Sequence, residues 1–109
     1  MRYPVEIVLR GVPASGALQA YIAEQARKLD SICEPISSCQ VVAEVLQRNE
    51  QQGAQFAVRL IITLPGTEVV VNREHSDDIC IAVREAFAAV GLQLKDHMRR
   101  LGDIESRSP

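Results

Sequence analysis

Val5, Ile7 and Leu9 alternate with Glu6, Val8 and Arg10, the period of two that presents one side of a strand to a core. Gly11 and Pro13 end that run. Ser15 follows as an N-cap, its hydroxyl suited to accept a bond from an unpaired backbone N–H. Leu18, Ile22, Ala26, Leu29 and Cys33 then recur at helical spacing, predicting a helix from about Gly16 to Ile32. Glu34-Pro35 closes it, because proline disfavours helix at the preceding residue and lacks the N–H to continue. Alternation resumes from about Ile36, with Cys39, Val41, Ala43 and Val45 on one side and Gln40, Val42, Glu44 and Leu46 on the other. A polar turn over Arg48 to Gly53 leads into Phe56, Val58, Leu60, Ile62 and Leu64, again at period two, so the two strands form a hairpin. Pro65-Gly66 turns the chain into a further antiparallel strand through Val69 and Val71. Ser76 and Asp77 are suited to cap a last helix running to about Leu101. Its apolar positions Ile79, Val83, Ala86, Phe87, Val90, Leu94, Met98 and Leu101 are spaced by three and four. Gly102 supplies a stop, and 103–109 reads as a short disordered tail.

The predicted order is β-α-β-β-β-α, an α+β domain over residues 1–102. Each helix has one apolar stripe and the four-stranded sheet has one core face to offer, so both helices pack on the same side and leave the other face of the sheet open.

Composition narrows what such a domain does. At 109 residues the chain is long enough to bury a core without staples. Aromatic residues are only 4% and Trp is absent, which gives no run of platforms for stacking a single strand. The opening residues lack the apolar core of a secretion signal, and no segment approaches a membrane span, so the expected location is cytoplasmic. Cys33, Cys39 and Cys80 form no CxxC pair and read as reduced thiols. His75 and His97 complete no zinc pattern with them, and neither metal nor other cofactor is expected. No nucleophile context or phosphate-cradling glycine loop is present, and Asp77-Asp78 is explained by helix capping, so the chain does not read as an enzyme and no small-molecule substrate is expected.

Net charge is −2, from 12 basic and 14 acidic residues. A global attraction to nucleic acid is therefore missing, and any polyanion must be met by a local patch. The last helix supplies one, carrying Arg84, Lys95, Arg99 and Arg100, with Arg27 and Lys28 at the end of the first helix and Arg73 in the last strand. These seven are the candidate contacts to a polyanionic partner.

Ser15-Gly16-Ala17-Leu18-Gln19-Ala20-Tyr21-Ile22 with Arg27-Lys28-Leu29, Ile36-Ser37-Ser38-Cys39-Gln40-Val41-Val42, Leu64-Pro65-Gly66 with Val69-Val70-Val71-Asn72-Arg73-Glu74, and Asp78 to Phe87 with Gln93-Leu94 come in an order that resembles the ribosome hibernation-promoting factor and ribosome-associated inhibitor family, also called ribosomal subunit interface or sigma factor modulation proteins. The resemblance spans roughly residues 3 to 101. It implies the same β-α-β-β-β-α fold, no catalysis, and binding to the small ribosomal subunit and its rRNA between the subunits, which inhibits translation in stress or stationary phase. The resemblance would make the seven cations contacts to RNA phosphates. It also implies a short form, since the second domain of long-form relatives does not follow. The family pattern places basic residues shortly before the Gln-Leu pair of the last helix, where this chain has Ala89, Gly91 and Leu92. At 3.6 residues per turn Arg84, Ala88, Gly91, Lys95 and Arg99 fall on one stripe, charged at both ends and neutral in the middle. A protein-interaction module of the same fold that has lost the ribosome site is the alternative, with Val42 and Leu46 on the open sheet face as the surface for a homodimer or another protein.

Overall fold

The computed structural model describes residues 3–33, 35–49, 53–76 and 78–107. Its elements are β1 (Val5–Arg10), α1 (Gly16–Lys28), a 3-10 turn (Leu29–Ser31), β2 (Ser38–Asn49), β3 (Gly53–Leu64), β4 (Thr67–Ser76) and α2 (Ile79–Arg107). The sheet has the order β1-β2-β3-β4. β1 runs parallel to β2, with Ile7 opposite Val41, while β2, β3 and β4 are successively antiparallel. The predicted β-α-β-β-β-α order is the observed one.

Alternation decides which face is buried. Cys39, Val41 and Ala43 of β2, Val58, Leu60, Ile62 and Leu64 of β3, and Val71 of β4 lie on the covered side. Both helices sit there, α2 over β3 and β4, and α1 against β1 and α2. Leu18, Ile22, Ala26 and Leu29 face the sheet from the first helical segment, and Ala82, Val83, Ala86, Phe87, Val90 and Leu94 from α2. Ile22, Leu60, Ile62 and Leu94 are fully enclosed, each contributing about 1.5–3 kcal/mol by leaving water. The Tyr3 hydroxyl donates to the Ala26 carbonyl, tying the chain ahead of β1 to α1. Burial pushes the Tyr3 phenol pKa up.

Several boundaries move from their predicted places. Ser15 caps α1 as expected, its Oγ accepting from Leu18 N at 3.3 Å. The α-helix then ends at Lys28 and tightens into the 3-10 turn, where the Ser31 hydroxyl donates to the Lys28 carbonyl at 2.8 Å. That bond satisfies one of the carbonyls a helix end leaves open. β2 begins at Ser38, not Ile36. The β2–β3 register shifts between Val45 and Gln47, so Leu46 is the extra residue of a β-bulge and not a regular member of the open face. Residues 50–52 of the expected turn lie outside the described residues. Gly66 turns β3 into β4 at φ 79°, a sense that glycine adopts without a Cβ penalty.

β4 continues through Ser76, so capping of α2 passes to Asp78, whose Oδ1 accepts from Cys80 N at 2.9 Å. Asp77 lies outside the described residues. At its far end α2 runs through Gly102 to Arg107 instead of stopping at Leu101. Gly102 does not take the positive φ of a helix stop, and an interior glycine costs a helix only about 1 kcal/mol relative to alanine. Leu101, counted with the apolar stripe, is 41% exposed because the helix has by then passed its neighbours. Residues 103–107 of the expected tail are thus helical, and 108–109 lie outside the described residues.

Candidate nucleic-acid interface

All seven candidate cations are exposed and all belong to the helix-covered side of the molecule. The helices bring six of them there. Arg73 arrives from the strand, because it pairs with Val58 in register and so shares the face of Val71.

Their partners divide them. Arg27 donates to Glu24 at 2.6 and 3.1 Å, and this hydrogen bond holds the Glu24 carboxyl below its usual pKa and Arg27 above its own. Arg99 and Arg100 share one carboxylate, Asp96, with Arg100 at 3.2 Å. Arg73 donates to the Asn72 carbonyl at 2.8 Å. Among the described residues, Lys28, Arg84 and Lys95 form no ion pair. Exposed pairs of the Arg–carboxylate kind are worth about 0–1 kcal/mol, so they yield readily to a phosphate.

Gly91 is not a vacant slot on the outer stripe. It is buried, and a Cβ built on it would stand 3.5 Å from Ile32 Cδ1. The glycine therefore faces the seam between the helices. Ala89 is half-buried against the core, which leaves Ala88, Leu92 and Gln93, with Leu92 68% exposed, as the exposed neutral positions of α2 between Arg84 and Lys95.

Two neighbouring elements flank that neutral stretch. Tyr21 and Arg84 line one cavity while Ile32 meets Gly91, so α1 and α2 run in the same general direction. On the other side, His75 Nε2 lies 3.9 Å from Glu85 Oε1, and Val69 and Val70 line a hollow with Leu92 and Gln93, so β4 and α2 run in opposite directions. The middle of α2 itself carries no exposed cation between Arg84 and Lys95.

The opposite side of the sheet has a different balance. Register assigns it Glu6, Glu44, Glu68 and Glu74 against Arg10 and Arg59. An acidic chain thus keeps its helix side basic, where the seven cations meet, among the described residues, Glu24, Asp30, Asp78, Glu85 and Asp96.

The remaining titratable groups add no chemistry of a different kind. Burial pushes the Cys39 thiol up to about 12 and raises Cys33, while Cys80 is exposed. Among the described residues there is no cluster of His, Cys, Asp and Glu that could hold a metal ion, and no helix long and apolar enough to cross a membrane.

Solved structures share this architecture. A ribosomal subunit interface protein from Coxiella burnetii superposes with a TM-score of 0.69 at 20% identity, covering 88% of this chain and 98% of its own. The N-terminal domain of Thermus thermophilus Protein Y gives 0.66 at 18% identity, covering 89% and 97%. No curated protein matches the chain. At these identities the likeness is one of fold, and kinship comes from the sequence itself. The model of one family matches residues 5–102, from the first residue of β1 to the glycine inside α2. The chain belongs to the Sigma 54 modulation protein / S30EA ribosomal protein family.

Proposed function

We propose that this protein associates with the ribosome, binding the small subunit on the side that faces its partner subunit, and that it inhibits translation in stress or stationary phase by occupying space otherwise used by RNA ligands. It acts in the cytoplasm, through binding and not catalysis. The feature that supports this reading is one-sided charge: Arg27, Lys28, Arg84, Lys95, Arg99 and Arg100 on the two helices and Arg73 on the strand face beneath them are all exposed, on a chain whose net charge is −2. Family membership supports the ribosomal partner. The seven cations act as phosphate contacts to ribosomal RNA, supplying locally the positive charge that the chain lacks overall.

Cosedimentation with purified small subunits across a salt series tests it. Seven phosphate contacts give a slope of log K against log salt of about −5 to −6, whereas a weak, non-specific association through two or three gives about −2. No binding at about 50 mM salt, the lower end of the range in which such complexes form, would sink the proposal.

A further inference from the structure

Between the N-terminal turns of α1 and α2 lies a cavity of about 640 Å³, within the range that small-molecule pockets occupy. Its walls are mainly apolar, and two of the chain's four aromatic residues, Tyr21 and Phe56, line it. The other two, Tyr3 and Phe87, are buried in the core. Both lining rings are half-buried, so each keeps part of its surface accessible.

The polar groups around this cavity are already sorted. Ser15 Oγ and Asp78 Oδ1 are engaged in capping α1 and α2. Among the described residues, the Arg84 guanidinium and the Tyr21 hydroxyl have no hydrogen-bond or ion-pair partner. An apolar recess with two aromatic rings and an unpaired guanidinium fits a ligand that is planar and π-rich at one end and anionic at the other.

Arg84 is also one of the seven cations, so the recess opens onto the surface assigned to RNA. Resting on that assignment, we infer that the cavity receives one unstacked ribonucleotide of the bound RNA, its base against Tyr21 and Phe56 and its phosphate on Arg84. A low aromatic content excludes an extended stacking platform but leaves room for a single base. Recognition of a splayed-out nucleotide by an aromatic face and a neighbouring arginine is a general device of RNA binding.

The full chain provides its own reporter. Cys80 lines the cavity and is exposed, while Cys33 and Cys39 are buried with raised thiol pKa values. Nucleoside monophosphates with each of the four bases are titrated while Cys80 modification by an aromatic disulfide reagent and backbone amide shifts are followed. Inorganic phosphate and decanoate serve as probes of the anion alone and of an apolar anion. At about ten times its Kd, a bound monophosphate slows Cys80 modification about tenfold, with saturable shifts at Tyr21 and Arg84. Tyr21→Leu, which keeps an apolar filler in the wall, weakens binding about fivefold or more, the lower end of base–aromatic stacking. Arg84→Gln weakens the monophosphate while sparing the corresponding nucleoside.

The inference is overturned if no monophosphate saturates, if decanoate protects as well as the nucleotides do, or if neither variant changes nucleotide affinity. Small-subunit binding separates the two proposals. Retained cosedimentation without nucleotide binding overturns the cavity assignment alone, and nucleotide binding without cosedimentation overturns the ribosomal reading.

Discussion

A Cβ at position 91 would meet Ile32 Cδ1 at ordinary van der Waals distance, 3.5 Å. Alanine therefore fits, and Gly91→Ala raises stability by about 0.5–1 kcal/mol by removing backbone freedom from the unfolded chain, without altering RNA binding. Gly91→Arg, the change that would restore charge to the stripe as read from sequence, forces a long side chain into the seam and costs about 1–3 kcal/mol. Urea unfolding of the two variants checks this, and an arginine variant as stable as the parent contradicts the seam. Angular position alone put Gly91 with Arg84 and Lys95, because a helical projection describes one helix without its neighbour. Ser15 was legible as a cap since the apolar spacing beginning at Leu18 leaves little choice. Ser76, Asp77 and Asp78 offered three successive caps, and only the length of β4 assigns the task to Asp78.

On α2 the spacing that made the helix legible also determines how much of its charge is available. Asp96 lies three residues before Arg99 and four before Arg100, so a single carboxylate engages both guanidiniums. Asp96→Asn releases them, and affinity for the small subunit rises about two- to fivefold, the equivalent of an exposed pair worth ~0.5–1 kcal/mol. Helicity falls slightly, since each lost i,i+3 or i,i+4 pair is worth about 0.2–0.5 kcal/mol. Equilibrium cosedimentation reads the first effect and circular dichroism the second; unchanged affinity would mean that Arg99 and Arg100 lie outside the contact. The period of two identified all four strands, and Pro65-Gly66 fixed their tightest connection. The end of α2 was not legible, because glycine stops a helix only in the left-handed conformation and Gly102 keeps the right-handed one.

For the molecule as a whole, the sheet divides the charge into two hemispheres. Lys95→Glu on the helix side lowers the magnitude of the salt slope by about one unit, whereas Arg59→Glu on the open side leaves it unchanged. Equal effects of the two reversals, measured over the same salt series, would remove the distinction between the faces. The α+β architecture was readable because two amphipathic helices and one half-buried sheet have few ways to pack. Arg73 was readable as a charged residue, but its place on the helix-covered face depends on the register of β4 against β3, which no single element encodes. The edge position of β4 has a further consequence. A ten-residue border strand carries a row of backbone donors and acceptors that invites another chain to add itself. Glu68, Arg73 and Glu74 along that border put alternating charge where an incoming strand would lie. Those three side chains help to keep the free protein from self-associating edge to edge.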